Sequence, residues 1–445
     1  MDNNLENIKN FHNGLLIKEA ESKLLFIAFC FEFNRYLKIF ESVKSTLMNP
    51  NDNIKYQQKT DGGGISPKFI TYLPIQLDAT CNGFQHISML ALDQELISKV
   101  NIKNATADDS PEDFYTIISN LIKGYLDKKL KENNRDSLAN YASYERLYNI
   151  NIQRTIIKKS IMTMPYNVSA IQSIKYLKDS FIEDLDYTNL QNNKDNKTTK
   201  GKWFRHIKDE NLYLKDEDFV VLYKVLSKVL ENTTSIKLIT DYLWGLADIC
   251  SQANIPIPWR LPTGLIINQS YMQSKEIRIA PFDYIKHTFQ VKVPVKEKLD
   301  LLKQNRAFMP NLIHSLDATT LVFLIEAYFN KNPNPVTNFY AIHDCFGTTC
   351  NNMQYIISML QSIYISLYSD KKYLLEIDNY MRYYVKDKID NNFDIKSVGG
   401  KVEISTVNRK NEEKIIKRTF PNINNIINNK FDLSTYLKNS FYIIN

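Results

Sequence analysis

The sequence has few glycines, no paired cysteines and no long hydrophobic run. Its longest unbroken apolar stretch, Leu24 to Phe31, is much shorter than the roughly 20 residues that span a bilayer, so no transmembrane segment is expected. The five cysteines are scattered and none forms a CxxC pair, which argues against a disulfide scaffold and against a zinc site. The first residues resemble neither a secretory signal nor a mitochondrial presequence, so no cleavable targeting signal is expected.

The 445 residues are enough for about three domains, at the usual ~150 residues each. With 44% hydrophobic and 24% charged residues, the composition is that of a folded protein with a core, which excludes a disordered or collagen-like chain. The formal net charge of +7 permits a polyanionic partner but does not require one.

Most of the chain has the periodicity of helices, interrupted by short β-branched and aromatic runs that are typical of strands. Helical patterns cover residues 111–180 and 211–253, and a further helix is expected from Ser315 to Phe329. A strand is expected over residues 69–77, followed by a helix from Gly83 to Leu92. The sequence therefore predicts a mixed fold in which helices predominate.

The expected strand at 69–77 ends at a carboxylate, Asp78, and the chain then turns through small residues into a helix. This arrangement would place the acid at the edge of a sheet, and the carbonyl of Ala79 could also reach a hard cation, which takes oxygen ligands. The alternative is that Asp78 caps the following helix, which is the more common role for an aspartate before a helix. The segment alone leaves both open.

Arg154 and Lys158 lie four residues apart, on one face of an expected helix. Such a like-charge pair costs about 0.2–0.5 kcal/mol unless an anion lies between the two cations. Two cations on one face, followed by the aromatic hydroxyl of Tyr166, suit a nucleoside triphosphate with its sugar and base beyond it. A solvated basic face is the alternative.

A second candidate carboxylate, Asp344, follows His343 between two short β-rich runs. A tight hairpin turn at this point would push one carboxylate outward. A His-Asp pair is common in proteins, however, and taken alone it is more often structural than functional.

A fourth segment contains His314, and either Ser315 or Asp317 could cap the helix that follows it. A single histidine is usually structural. Three of the six histidines nevertheless lie in these four segments, namely His86, His314 and His343. Histidines scattered over a surface would not be expected to cluster in this way.

The order of these segments is more informative than any one of them. A strand-end acid, a basic helix with a tyrosine, and a hairpin acid follow one another as in a nucleotide polymerase. In that interpretation Asp78 and Asp344 hold two Mg²⁺ ions about 3.5–4 Å apart, which contact the attacking and leaving oxygens. The basic helix between them neutralises the incoming triphosphate.

The same residues resemble the motifs of a known family, the single-subunit DNA-directed RNA polymerases of bacteriophages and mitochondria. The resemblance is closest to the polymerases encoded by linear mitochondrial plasmids of fungi and plants. Residues 78–86 (DATCNGFQH) are similar to motif A of that family, residues 154–166 to motif B, and residues 343–348 (HDCFGT) to motif C. The resemblance extends from about residue 20 to the end, and the order A, B, C is highly specific.

The resemblance implies catalytic roles for residues in all three motifs. Asp78 and Asp344 would bind the two Mg²⁺ ions, with the carbonyl of Ala79 assisting. Lys158 would give a proton to the leaving pyrophosphate.

The resemblance also implies how the substrate is bound. Arg154 and Lys158 would contact the triphosphate, and Tyr166 with His314 would sense the ribose 2′-hydroxyl and so favour ribonucleotides. The family has glycine directly after this tyrosine, where this chain has Asn167, so the mobility of the backbone is expected to differ at this position.

The implied fold is α+β, the right hand of nucleotide polymerases, mostly helical with a small antiparallel palm sheet. The palm would comprise residues 1–92 and 314–445, the latter with a C-terminal tail, and the fingers residues 93–313. The thumb and the promoter-reading N-terminal domain are expected to be absent. A chain without a thumb should hold its template poorly, because phosphate contacts supply most of the affinity. A separate polypeptide could supply these parts.

The implied function is DNA-templated RNA synthesis from ribonucleoside triphosphates, with template DNA and nascent RNA as partners and no membrane. Abundant Asn, Ile, Lys and Tyr with scarce Gly are typical of AT-rich coding DNA, and with the resemblance they favour a mitochondrial protein made within the organelle or plasmid-encoded. One alternative is an inactive or truncated nucleic-acid-binding remnant of such a polymerase. Another is a DNA polymerase with the same palm, which the sequence of motif C disfavours.

Overall fold

The computed structural model describes residues 20, 23–48, 57–59, 65–67, 71, 73–106, 108–132, 138–150, 152–194, 201–233, 235–279, 289–331, 338–369, 372–390, 395–398, 401–407, 413–427 and 431–444. The helices are α1 (Lys23–Met48), α2 (Asn82–Ala91), α3 (Gln94–Lys99), α4 (Phe114–Lys131), α5 (Leu138–Asn149), α6 (Arg154–Thr163) with the 3₁₀ turn Met164–Tyr166 after it, α7 (Ala170–Lys178), α8 (Leu185–Lys194), α9 (Asp216–Thr233), α10 (Ile236–Gln252), α11 (Leu301–Lys331), α12 (Cys350–Tyr368), α13 (Lys372–Asp390), α14 (Asn424–Ile427) and α15 (Leu433–Leu437). The strands are β1 (Gln57–Lys59), β2 (Ile65–Pro67), β3 (Pro74–Asp78), β4 (Phe181–Glu183), β5 (Trp203–His206), β6 (Tyr213–Lys215), β7 (Ile257–Arg260), β8 (Ile266–Gln269), β9 (Met272–Ile279), β10 (Phe289–Leu299), β11 (Phe339–Ile342), β12 (Cys345–Thr349), β13 (Ile395–Val398), β14 (Lys401–Val407) and β15 (Glu413–Thr419). The prediction of a mostly helical mixed fold is confirmed.

The chain divides into two compact units, one of residues 1–77 with 332–355 and one of residues 78–331 with 356–445. The smaller unit contains the hairpin β1–β2 and a three-stranded sheet of order β11-β12-β3, in which β11 and β12 are antiparallel. The last residue of β3, Asp78, is the first residue of the larger unit.

Helix α2 lies at the centre of the larger unit, and every residue from Gly83 to Ala91 is buried. The helix contains no Asp, Glu, Lys or Arg, so it lacks the charged face of a surface helix, and it is buried on all sides. It packs against α10 and α11, while α4, α5, α6, α7 and α9 pack against one another in a second group of helices. The larger unit also contains the antiparallel sheets β4-β5-β6, β7-β8, β9-β10 and β13-β14-β15.

Helix α11 is longer than the sequence indicated. It was expected to begin at Ser315, but it begins at Leu301, where the side chain of Asp300 accepts a hydrogen bond from a backbone amide of the first turn (3.1 Å). The prediction that Ser315 or Asp317 caps a helix is therefore wrong. A proline usually marks a helix end, whereas Pro310 lies inside this helix.

Among the described helices, α11 alone is long and apolar enough to cross a membrane by length and composition. The sequence predicted no such segment because polar residues interrupt every apolar run. Two of the buried polar side chains of α11 form hydrogen bonds within the larger unit, Gln304 with Gln269 (3.2 Å) and Asn305 with Ser251 (2.6 Å). Together with its packing against α2 and α10, these contacts are those of a core helix.

Candidate active site

Asp78 is exposed at the end of β3. The turn that follows is held by the C-terminal segment of the chain: Ala79 forms an isolated antiparallel bridge with Ile444, and the Thr80 hydroxyl donates to the Tyr442 carbonyl (3.0 Å). No local pattern predicts these contacts, because they join positions more than 360 residues apart in the sequence.

Cys81, not Asp78, is the N-cap residue of α2, and its side chain makes no capping hydrogen bond. Asp78 therefore does not have the structural role that was the main alternative to metal binding.

The two cations of motif B lie one turn apart at the start of α6, as their spacing predicted. Both head groups lie over the ring of Tyr115, with Arg154 Cζ 5.4 Å and Lys158 Nζ 5.7 Å from its centroid. Arg154 also forms an ion pair with Asp113 (Nε to Oδ2, 2.7 Å). One carboxylate and one aromatic face thus offset the repulsion between the cations.

Tyr115 connects these cations to the turn after Asp78. Its ring is buried, and its hydroxyl forms a hydrogen bond with the thiol of Cys81. Burial raises the pKa of the Cys81 thiol to about 11 and also raises the pKa of the Tyr115 hydroxyl, so both groups are neutral at pH 7. The sequence motifs did not identify Tyr115 or Asp113; the one local signal is that Asp113 is the N-cap of α4.

The rings of Tyr166 and His314 are stacked, with their centroids 4.8 Å apart and an angle of 9° between their planes. Tyr166 ends the 3₁₀ turn after α6, and His314 lies on α11. The tyrosine also lies against Gly83 in the first turn of α2, where an added Cβ would be 3.0 Å from Tyr166 Oη and 2.9 Å from Pro165 Cβ. The structure therefore brings together the two residues that the resemblance paired, and packs them on α2.

The segment of α11 around His314 is anchored by its neighbours. Ser315 is buried and accepts a hydrogen bond from Trp259 Nε1 on β7 (3.1 Å). Asp317 accepts one from Asn82 Nδ2 at the start of α2 (3.1 Å). These two contacts hold this segment of α11, with His314, beside the helix that begins within motif A.

His86, the histidine of motif A, is a structural residue. It is fully buried in α2, and its Nδ1 forms a hydrogen bond with the Tyr368 hydroxyl (2.6 Å). Burial lowers the pKa of His86 to about 3, so its ring is neutral at physiological pH.

His343 and Asp344 form the two-residue turn of the hairpin β11–β12, in which Ile342 pairs with Cys345, so the predicted hairpin is confirmed. His343 has a φ of +56°, a positive value of the kind that two-residue hairpin turns require at their first central position. Asp344 is half-buried immediately before β12.

The strand after Asp344 is joined to β3 by side chains of the smaller unit. Gln76 Nε2 donates to Cys345 Sγ (2.8 Å), and the Tyr340 hydroxyl donates to Gln76 Oε1 (3.0 Å). The ring of Tyr340 also lies across Gly347, where an added Cβ would be 2.2 Å from it. The glycine of motif C is therefore required by packing.

The predicted metal ligands are all oxygen atoms. Among the residues that the structure describes, no group of three or more His, Cys, Asp or Glu side chains could hold a metal. The predicted ligands are fewer: the carboxylates of Asp78 and Asp344 and the carbonyl of Ala79. All three are oxygen donors, and Mg²⁺ typically binds one or two carboxylates together with substrate phosphates and water. The residues therefore fit Mg²⁺ in chemical type.

Strands β9 and β10 form a long antiparallel ribbon, and every residue of β9 is exposed. The ribbon contains five basic and two acidic residues: Lys275, Arg278, Lys292, Lys296 and Lys298 against Glu276 and Glu297. A two-stranded ribbon fits the major groove of DNA, and basic side chains bind its phosphates. The sequence motifs did not indicate this surface.

The comparisons with known proteins agree with the motifs. A family model described as DNA-dependent RNA polymerase matches residues 1–434. The chain is 44% identical over 383 residues to a probable DNA-directed RNA polymerase of Podospora anserina, covering 86% of this chain and 37% of the relative. It is 27% identical over 402 residues to that of Neurospora crassa, covering 87% and 39%. It is 26% identical over 317 residues to the mitochondrial DNA-directed RNA polymerase of Schizosaccharomyces pombe, covering 69% and 24%.

The chain thus spans no more than about two fifths of the length of these relatives. The family model, in contrast, matches nearly the whole chain. The resemblance that the motifs indicated is confirmed, and the chain belongs to the DNA-dependent RNA polymerase family.

Proposed function

We propose that the chain contains the active site for DNA-templated RNA synthesis, in which nucleotides are transferred from ribonucleoside triphosphates to the 3′ end of RNA. The names of the relatives state this activity. For this chain it is a proposal, because the chain spans only part of their length. The observation that carries the proposal is the stack of Tyr166 on His314 against Gly83. It joins motif B and the segment before motif C on the helix that follows Asp78.

In the proposed reaction, the 3′-hydroxyl oxygen forms a bond to the α-phosphorus while the bond to the β-phosphate oxygen breaks and pyrophosphate leaves. Asp78 and Asp344, with the carbonyl of Ala79, would hold two Mg²⁺ ions, which when bound stabilise the charge on the attacking and leaving oxygens. The exposed position of Asp78 at a strand end and the half-buried position of Asp344 in a hairpin turn suit this role.

Arg154 and Lys158 would bind the triphosphate, and Lys158 would donate a proton to the pyrophosphate. The side chains of Arg154 and Asp113 are 45% and 38% exposed, and an ion pair this exposed contributes no more than about 1 kcal/mol. A multiply charged phosphate can therefore replace Asp113 as the partner of Arg154. The ring of Tyr115 would keep both cations in place during this exchange.

Tyr166 and His314 would recognise the ribose 2′-hydroxyl. Because the two rings are already stacked, a hydrogen bond to that hydroxyl would require little reordering of the side chains. The palm would comprise residues 1–92 and 314–445 and the fingers residues 93–313. With these limits, α11 begins in the fingers and ends in the palm.

Template DNA and nascent RNA would be the macromolecular partners, and the exposed basic ribbon β9–β10 is the surface of the described residues that best suits contact with their phosphates. The name of the Schizosaccharomyces pombe relative places that protein in mitochondria, which supports a mitochondrial location for this protein.

The test is extension of an RNA primer annealed to a DNA template, which removes any need for a promoter. Asp344→Asn should abolish Mg²⁺-dependent extension, because the variant loses one of two metal-binding carboxylates. Asp108→Asn, at an exposed position outside the motifs, is the matched control and should extend normally.

Three results would contradict the proposal. Extension by Asp344→Asn at the parent rate would exclude its metal-binding role. Binding of the template without incorporation by the parent chain would identify a non-catalytic remnant. Preferential incorporation of deoxynucleotides would identify a DNA polymerase.

A further inference from the structure

Asn167 occupies the position where the resembled family has glycine, and it has a φ of +54° at the C-cap of the 3₁₀ turn that carries Tyr166. Glycine adopts this left-handed conformation without strain, and asparagine is one of the few other residues that tolerate it. The backbone conformation is thus compatible with either residue. Asparagine adds a side chain that can donate hydrogen bonds, which glycine lacks.

That side chain reaches α11, where Asn167 Nδ2 donates a hydrogen bond to the carbonyl of Arg306 (3.3 Å). In a regular helix this carbonyl accepts a hydrogen bond from the amide of the residue four positions later. That residue is Pro310, which has no N–H. The proline therefore leaves a backbone acceptor for a donor from outside the helix, and Asn167 supplies one.

Two consecutive residues thus contact the same helix at two separate points. Tyr166 stacks on His314, and Asn167 binds the carbonyl of Arg306, about 12 Å away along the helix axis at ~1.5 Å per residue. A ring stack alone would allow the tyrosine to slide or to turn in its plane. A second contact at this distance restricts both movements.

We propose that Asn167, the Arg306 carbonyl and Pro310 form a latch that fixes Tyr166 on His314, and that Asn167 is thereby a positioning residue for sugar selection. The sugar-selection part rests on the proposed function, whereas the latch itself does not. A glycine at this position would remove the contact with the Arg306 carbonyl and would leave the ring stack and the packing against Gly83. The latch would increase the preference for ribonucleotides.

The first test is amide hydrogen exchange of residues 164–168 in Asn167→Asp, which keeps the shape and the tolerance of positive φ but has no N–H to donate. Loss of one hydrogen bond of modest strength should increase exchange about threefold. Asn254→Asp is the matched control: Asn254 also has a positive φ (+53°), but its side-chain oxygen accepts from the Leu299 amide (3.0 Å), which aspartate can also do. Exchange of residues 164–168 should be unchanged in this control.

The role of the proline is tested in a Pro310→Ala background, where the helix regains an amide for the Arg306 carbonyl. Asn167→Asp should then have a smaller effect on exchange than it has in the parent chain. Unchanged exchange in Asn167→Asp would exclude the latch, and an equal effect in both backgrounds would exclude the part assigned to Pro310.

The second test is the ratio of the equilibrium affinities of the purified chain for ATP and dATP in the presence of Mg²⁺. Asn167→Asp should lower this ratio about threefold with only a small decrease in the unfolding midpoint. An unchanged ratio with faster exchange would exclude the positioning role. If the parent chain binds neither nucleotide, the proposed function fails, and hydrogen exchange still decides whether the latch exists.

Discussion

Replacing Gly83 by alanine should displace Tyr166 and destabilise the protein. The added Cβ would be 2.9 Å from Pro165 Cβ and 3.0 Å from Tyr166 Oη, whereas carbon atoms in contact normally lie ~3.5–4.0 Å apart. Overpacking of this kind costs about 1–3 kcal/mol, and alanine in a helix returns about 0.5–1 kcal/mol relative to glycine. The expected loss of unfolding free energy is therefore up to about 2.5 kcal/mol.

The same change should weaken sugar selection, because Tyr166 can relieve the overlap by moving off His314. A shift worth about 1.4 kcal/mol would reduce the ratio of ribonucleotide to deoxynucleotide incorporation tenfold. Urea unfolding measures the first effect and primer extension the second. The control is Gly124→Ala on α4, where an added Cβ has no atom within 4 Å, so this variant should gain stability. If Gly83→Ala also gains stability and keeps its selectivity, the packing argument is wrong.

Two further predictions concern Tyr166 and His86. Tyr166→Phe keeps the ring stack but loses the hydroxyl, so ribonucleotide selectivity in the incorporation assay should fall about two- to tenfold. Tyr176→Phe is a control outside the motifs, with its ring beneath Lys159, and should leave selectivity unchanged in the same assay. Folding buries His86 and lowers its pKa from 6.5 to about 3. Between these two pH values the unfolded chain therefore binds more protons than the folded chain. As a result, the free energy of unfolding falls as the pH decreases from 6.5 towards 3. Urea unfolding at a series of pH values should show this residue contributing a slope of up to about 1.4 kcal/mol per pH unit, and His86→Gln should remove that contribution; an identical pH dependence in the variant would contradict the assignment.

The sequence was most informative where the chemistry dictates the type of residue. A carboxylate at a strand end, two cations one helical turn apart and a His-Asp hairpin turn were all predicted at their observed places, Asp78, Arg154, Lys158 and Asp344. In the proposed function these side chains bind metal ions and phosphates, which accept few kinds of ligand, so the positions are recognisable without any tertiary structure.

The residues that support these side chains were not predicted, because they are selected by packing between distant segments. Tyr115 lies below the two cations because α4 packs against α6, and Asp113 reaches Arg154 for the same reason. Many side chains could provide such support, so their identity leaves no motif in the sequence. The start of α11 was placed too late because the local preference of Pro310 was overruled by packing of the helix in the core.

The supporting contacts also bear on whether the chain is an enzyme or a remnant of one. The motifs alone do not distinguish these cases, because a decaying gene can keep acidic and basic residues by chance for some time. In this chain the supporting contacts come from three separate regions. Ile444 forms a β-bridge with the turn after Asp78, the ring of Tyr115 lies beneath the two cations, and the ring of His314 stacks on Tyr166. An inactive scaffold requires only that its core stays packed, whereas the Tyr166–His314 stack and the Asp113–Arg154 ion pair lie at partly exposed positions and add little to the core. Their joint presence therefore supports the proposal that these residues act on a nucleotide.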